Sequence, residues 1–231
     1  MNIEIKYRPA YALAIVSLER DEVVVAEGGA MVSMDTHLQM TTTAAKKAEG
    51  MMGALFSGLK RMVAGESFFQ NRFTAVGAPG TVTFAPTHVG DVAVHELDGT
   101  TGLTMQSKAY LCSGPDVVVD AKWAGGKGFL AGNGLIMLKA SGKGPIAFNT
   151  FGALKIVDVT DSFIVDTGHV VAFQDTLKFT TRKFGSGIWS FLAGGEGLVC
   201  EFKGTGRVWL QTRNPVAFGM AIGPKLPMRE N

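Results

Sequence analysis

A short apolar triplet occurs three times along the chain, and this repeat limits the possible folds more than any other feature. The copies are Val63-Ala64-Gly65, Leu130-Ala131-Gly132 and Leu192-Ala193-Gly194, and similar lengths of chain separate them. A repeat at a fixed period indicates one structural unit used several times, because a small unit cannot cover its own apolar face. The sequence therefore predicts three diverged copies of one unit, packed around a shared axis.

Glycine-rich turns and β-type runs indicate what this unit contains. Each triplet precedes a turn, at Gly77–Gly80, Gly142–Gly144 or Gly204–Gly206, and a second strand is predicted to leave each turn. Glycine supplies the positive φ that tight hairpins need. Runs of β-branched and aromatic residues predict further strands. They are Glu22–Ala26, Thr81–Ala85, Asp91–Leu97, Val117–Ala121, Ile156–Val159, Phe163–Val165, His169–Phe173 and Val208–Thr212. We predict an all-β single domain with pseudo-threefold symmetry.

Charge and cysteine usage exclude several classes of protein. The 22 basic and 20 acidic residues leave a net charge of only +2, which argues against nucleic acid as the principal partner. Residues 1–9 show no secretory signal, and no apolar run approaches the ~18 residues of a membrane-spanning helix. Cys112 and Cys200 lie in strand-like contexts and are predicted to be buried thiols. We expect a cytoplasmic protein.

Several blocks, taken in order along nearly the whole chain, resemble the signature of the AIM24 family (DUF124). They are Glu27–Val32, Gly58–Arg61, Ala64–Phe69, Val165–His169, Gly195–Val199 and Leu210–Arg213. The resemblance implies a homotrimer and three β repeats, likened to the tryptophan RNA-binding attenuation protein (a TRAP-like fold) and to the double-stranded β-helix. It implies no activity, because the bacterial members are uncharacterised. We set the repeats at about 10–100, 101–161 and 162–220 of a single domain covering residues 1–231.

An insertion at residues 41–61 distinguishes the first repeat from the other two. An apolar stripe at helical spacing lies between basic residues. The residues concerned are Lys46, Lys47, Met51, Met52, Leu55, Phe56, Leu59, Lys60 and Arg61. Such a segment suits an anionic membrane surface or a protein groove. Short amphipathic segments more often pack at an oligomer centre or against their own sheet, so packing is the favoured alternative, and the sequence leaves the other two open.

Candidate catalytic residues are few. Asp166-Thr167-Gly168 matches the aspartic protease tripeptide, but only one copy is present. The better interpretation is a tight turn between two strands, with Asp166 bonded to nearby amides and Gly168 at positive φ. His169 follows directly, so a ligand site or hydrolase centre at Asp166 and His169 is the alternative. The four histidines lack metal-ligand spacing, and no nucleophile elbow or phosphate loop occurs.

The sequence therefore favours a non-enzymatic oligomeric β scaffold without a cofactor, a catalytic residue or a metal. Its expected partners are further copies of the chain in a homotrimer, together with a protein or a peripheral membrane surface at the insertion. The alternative is a small-molecule-binding protein, or an undetected hydrolase, that uses the Asp166/His169 turn.

Overall fold

Antiparallel β-strands make up most of the computed structural model, which describes residues 1–44, 69–120, 137–183 and 198–227. The first half contains β1 Asn2–Lys6, β2 Leu13–Leu18, β3 Val23–Glu27, β4 Met31–Met34, β5 Leu38–Ala44, β6 Phe69–Ala75, β7 Gly80–Phe84, β8 Val92–Asp98 and β9 Leu103–Gln106. The second half contains β10 Tyr110–Ser113, β11 Val117–Asp120, β12 Met137–Asn149, β13 Leu154–Val159, β14 Ser162–Asp166, β15 Val170–Gln174, β16 Lys178–Lys183, β17 Leu198–Lys203 and β18 Gly206–Gln211. A short helix, α1, follows at Pro215–Ile222.

The prediction of a predominantly β, single-domain protein is confirmed. All eight predicted runs coincide with strands of the structure, displaced by no more than a few residues. These runs are rich in β-branched and aromatic side chains, which pack well on a pleated surface. The three apolar triplets lie outside the described residues.

The described strands form three sheets. One sheet has the order β1-β2-β7-β4, and a second has the order β14-β17-β16. The third follows the path β13-β18-β15-β9-β12-β10-β3-β6-β5, with β8 and β11 also paired to β12. The large sheet therefore contains strands from both halves of the chain. Each small sheet contains strands from one half only.

The glycines at 142 and 144 do not form the hairpin turn that we predicted. Strand β12 runs without interruption from Met137 to Asn149, and both glycines within it have positive φ. Its first half pairs with β9 and β11, and its second half pairs with β8 and β10. Positive φ at glycine bends the strand instead of ending it, so β12 serves two layers.

Apolar side chains fill three clusters between facing strands. Phe73 and Phe84 meet edge to face in the first, at 5.3 Å between ring centroids. Phe148 and Trp209 meet at 5.6 Å in the second, and Phe173 and Phe202 at 5.1 Å in the third. Successive side chains of a strand point to opposite faces, so the alternation of the sequence supplies one buried face for each cluster.

Three segments that precede strands meet at Gly90. This glycine forms parallel bridges with Tyr11 and with Gly152. Its carbonyl accepts a hydrogen bond from the amide of Ala12 at 3.1 Å. The amide of Asp91 donates to the carbonyl of Gly152 at the same distance. The beginnings of β2, β8 and β13 are thereby held together.

Candidate functional site

The Asp166–His169 segment forms a tight turn between two strands. Strand β14 ends at Asp166, a single 3₁₀ turn covers Thr167–His169, and β15 begins at Val170. The Asp166 carboxylate accepts a hydrogen bond from the amide of Gly168 at 2.8 Å. This is the capping role of an aspartate at a turn, and the carboxylate is engaged by the backbone.

His169 binds a different part of the chain. Its Nδ1 lies 2.7 Å from the carbonyl oxygen of Gln211, and because a carbonyl only accepts, Nδ1 carries the proton. The Gln211 side chain donates to the Gly168 carbonyl at 2.9 Å and accepts from the Phe151 amide at 2.9 Å. Among the described residues, no hydrogen bond joins Asp166 to His169. This arrangement joins the turn to β18 and supplies no observation that favours a hydrolase.

The expectation for Gly168 is wrong. It does not adopt a positive φ, and its role is to allow a close approach. A Cβ at this position would lie 2.2 Å from Nδ2 of Asn214. Asn214 caps α1, because its Oδ1 accepts from the amides of Val216 and Ala217 at 2.9 and 3.2 Å. The turn therefore packs directly against the start of α1.

Helix α1 is apolar and exposed. Its sequence, PVAFGMAI, contains no charged side chain, and none of its residues is buried. Phe218 is 49% exposed and Met220 73% exposed. Phe218 contacts Phe151 edge to face, with ring centroids 5.1 Å apart. An apolar helix with no buried residue is unusual on the surface of a monomeric protein, which makes α1 a candidate interaction surface.

Further exposed apolar residues lie near Phe151. His88 packs against the Phe151 ring at 5.6 Å, and the neighbouring Val89 is exposed. The carbonyl of Val89 accepts from the amide of Gly152 at 2.9 Å. Tyr11, also exposed, pairs with Gly90. We use the term apolar end for this surface, formed by Tyr11, Val89, Phe151, Val216, Phe218 and Met220.

Two half-buried histidines make the stability of the protein dependent on pH. Burial, and then the charge of Arg207, lower the pKa of His95 below 6.5, and Asp98 opposes this only in part. Burial also lowers the pKa of His88. The unfolded chain binds a proton near pH 6.5 whereas the folded protein does not, so stability should fall as the pH drops below that value.

The pH effect is testable at His95, whose ring contacts Trp209 at 5.1 Å. We expect His95→Phe to keep the ring contact and to reduce the loss of unfolding free energy between pH 7.5 and about pH 5.5. Urea unfolding at several pH values measures this, and His88→Phe/His95→Phe should flatten the profile further. An unchanged profile in both variants would contradict the assignment.

Neither a metal site nor a reactive thiol occurs in the described part of the chain. No group of three or more His, Cys, Asp or Glu residues there could hold a metal ion. Cys112 and Cys200 are buried and unpaired, and burial raises the pKa of each thiol to about 12. The prediction of buried thiols is therefore confirmed, and neither group is a nucleophile near neutral pH.

A shallow depression of about 300 Å³ lies beside Thr100, Lys139 and Asp175. Lys139 Nζ is 2.6 Å from Oδ2 of Asp175, and the hydroxyl of Thr104 donates to the other carboxylate oxygen at 2.8 Å. The two charges satisfy each other, so the depression offers no free charged group to a ligand.

Most of the predicted insertion lies outside the described residues. Residues 41–44 belong to the end of β5, and the rest of the insertion falls in the undescribed range 45–68. The candidate contact residues there are Lys46, Lys47, Met51, Met52, Leu55, Phe56, Leu59, Lys60 and Arg61. In the described part of the chain, no helix is long and apolar enough to cross a membrane.

Sequence reasoning missed α1 and the apolar end. A usable signal was present, because Asn214 followed by Pro215 is a typical helix start, with a capping side chain and a proline in the first turn. The exposed Tyr11 and Val89 carry no comparable signal, since their neighbours come from distant parts of the sequence.

Comparison with known proteins agrees with the fold. A crystal structure of a Streptococcus pyogenes protein superposes with a TM-score of 0.78 and 23% sequence identity, covering 97% of this chain and 99% of that one. An uncharacterised protein of S. pyogenes serotype M6 is 26% identical over 235 residues, covering all of this chain and 93% of that protein. The family model described as mitochondrial biogenesis AIM24 matches residues 3–213, so the chain belongs to the AIM24 family.

Proposed function

We propose that this chain is a non-enzymatic, oligomeric β scaffold that assembles as a homotrimer through its apolar end. The carrying observation is α1, which exposes Phe218 and Met220 and buries none of its own residues. Apolar surface of this kind is stabilised when a partner removes it from water, at roughly 25 cal/mol per Å². The capped first turn and the Phe151 contact hold α1 in place for such a partner.

The scaffold proposal includes three diverged repeats in a TRAP-like arrangement, and recurrent strand pairing supports it. The strands fall into three sets, β2–β7, β8–β12 and β13–β18. In the first and last sets, the first and third strands flank the sixth, and the second and fourth flank the fifth. In the middle set, the two halves of the long strand β12 take the places of the fifth and sixth strands. The first type of triplet is β2-β7-β4, β8-β12-β10 and β13-β18-β15. The second type is β3-β6-β5, β9-β12-β11 and β14-β17-β16. The pairing favours repeat boundaries near residues 90 and 152. Gly90 and Gly152 lie just before the first strands of the second and third sets, and they form a bridge with each other.

A second contact of the scaffold remains a prediction from the sequence. The apolar and basic residues of the insertion, from Lys46 to Arg61, would offer a protein or membrane surface a contact separate from the apolar end. Within this proposal the trimer displays three copies of the segment, which strengthens weak contacts by multivalency.

Native mass spectrometry tests the assembly. We expect wild-type protein to give a trimer, and Phe218→Asp/Met220→Asp to give a folded monomer. The physical reason is that both side chains are exposed in the single chain, while a buried unpaired carboxylate is strongly unfavourable in an interface.

A matched control replaces an exposed apolar residue far from α1 in the fold. Val118, on β11, is similarly exposed, so Val118→Asp should leave the trimer intact. A monomeric wild-type protein would refute the proposal. A trimer that survives the double substitution in α1 would show that the apolar end is not its interface.

A further inference from the structure

Two strands end sheets without a neighbour and are exposed where related strands are buried. In the described part of the chain, β4 pairs only with β7, and β14 pairs only with β17. Every residue of β4 is exposed, with Val32 at 57%, and Ile164 of β14 is 43% exposed. By contrast, all four residues of β10 and all four of β9 are buried.

Strands β9 and β10 are buried because each of them pairs with a strand of a neighbouring set, in a junction between the two sets. Strand β10 pairs with β3, and β15 pairs with β9, in both cases antiparallel. Each junction joins the third strand of one set to the second strand of the set before it. The third strand of the first set is β4 and the second strand of the last set is β14, so these are the two strands left over.

The bulge in each third strand establishes which residues correspond. A register shift falls between Met31 and Ser33 in β4, between Tyr110 and Cys112 in β10, and between Val170 and Ala172 in β15. Since each shift faces the sixth strand of its own set, Ser33 is equivalent to Cys112 and Ala172. It follows that Met34 is equivalent to Ser113 and Phe173.

The second strands can be aligned in the same way. Gln106 at the end of β9 and Asp166 at the end of β14 each precede a 3₁₀ turn. Leu103 and Met105 point into their core, and Phe163 and Val165 pack against theirs. Thr104 of β9 is therefore equivalent to Ile164 of β14. In β3, Val24 and Ala26 belong to the first core cluster, so Val25 between them is equivalent to both.

The two existing junctions agree on one register. Ser113 pairs with Val25 in the first junction, and Phe173 pairs with Thr104 in the second. Applied to the unpaired strands, the same register places Met34 opposite Ile164. Both are exposed apolar side chains in the single chain, and directly opposed apolar residues stabilise antiparallel pairing.

We propose that β4 of one copy pairs with β14 of a second copy, antiparallel, with Met34 opposite Ile164. The inference rests on the proposed oligomeric scaffold and adds a contact between copies to the one at the apolar end. The three-stranded and four-stranded sheets of neighbouring copies then become one continuous sheet. Because the contact joins two different edges, three copies close into a ring if each turns by about a third of a circle.

The composition of the two edges favours a second copy as the occupant. Monomeric proteins protect sheet edges with lysine, proline or inward-pointing charge. Strand β4 reads MVSM and β14 reads SFIVD, so neither carries a lysine or proline, and the only charge is the terminal Asp166. A second copy would place a second strand of a set beside β4 and a third strand of a set beside β14. These are the same two kinds of strand that pair in the junctions within the chain.

Disulfide trapping between two differently tagged chains tests the register. One chain carries Met34→Cys and the other Ile164→Cys, and the native cysteines stay in place because they are buried and their thiols are protonated. We expect a mixed covalent dimer on non-reducing gels. Replacing Ile164→Cys by Ser162→Cys, on the same face but two residues away, should lower the yield by about tenfold, since a disulfide tolerates only a narrow Cβ separation.

The outcomes separate this inference from the proposed function. A wild-type trimer whose Met34→Cys and Ile164→Cys chains do not link leaves the scaffold standing and overturns the β4–β14 contact. A Met34→Cys/Ile164→Cys double variant that forms only a disulfide within one chain also overturns it, because the edges then pair inside a single copy. Linking of Met34→Cys chains to one another would instead indicate a symmetric β4–β4 contact and refute the register.

Discussion

Gly90→Ala should destabilise the protein by about 3 kcal/mol, because the added methyl group has no space. A Cβ at this position would lie 1.9 Å from the carbonyl oxygen of Thr150 and 2.8 Å from that of Gly152. Both obstacles are backbone atoms, so no side-chain rotation relieves the contact. The segments that precede β2, β8 and β13 would have to separate, and their hydrogen bonds at Gly90 would weaken.

Urea unfolding followed by tryptophan fluorescence measures the effect, and Gly219→Ala in α1 is the matched control. A Cβ at Gly219 meets nothing within 4 Å, and alanine is a better helix former than glycine, so this variant should be as stable as wild type or slightly more stable. If Gly90→Ala unfolds at the wild-type urea concentration, the close approach at Gly90 does not hold the three segments together.

The strands could be predicted from sequence because their signal is local. Runs such as Val117–Ala121 and Phe163–Val165 combine β-branched or aromatic side chains with bounding glycine, proline or aspartate, and each became a strand. The turn at Asp166 was predictable for the same reason, since its cap lies two residues away. Local signals were less informative about glycine. The prediction that Gly142 has a positive φ is confirmed, but this conformation bends a strand instead of forming a turn. At Gly168 a glycine is needed because Asn214, which is distant in sequence, leaves no space for a Cβ.

The candidate surfaces depend on contacts between distant residues, and this explains why sequence reasoning did not find them. Nothing in the residues of β4 indicates that they stay exposed while those of β10 are buried, because the difference lies in which strand comes alongside. The apolar end likewise combines segments that include Tyr11, Val89 and Phe218. Periodicity identifies the apolar face of one strand or helix, but the arrangement of the units decides which faces remain uncovered.

Arg8→Met should cost about 2 kcal/mol, because it removes the partner of a buried carboxylate. Arg8 donates from Nε and Nη2 to the two carboxylate oxygens of Asp91, at 2.8 and 2.9 Å. Asp91 is only 4% exposed, and the hydrogen bond from the Val92 amide would be left to hold its charge. The expected cost lies below the ~3–5 kcal/mol of a fully buried pair, because Arg8 is half exposed and water can reach the carboxylate from its side.

A double-mutant cycle separates the ion pair from the packing of the Arg8 stem. Asp91→Asn keeps an acceptor for the Val92 amide and removes the charge, so Arg8→Met should cost clearly less in that background. Arg8→Lys should recover only part of the loss, since an ammonium group cannot bind both oxygens in parallel. Arg182→Met, at an exposed pair with Glu201, should have a much smaller effect. Equal costs of Arg8→Met in the wild-type and Asp91→Asn backgrounds would show that the stem, and not the charge, joins the segment before β2 to the point where the three segments meet.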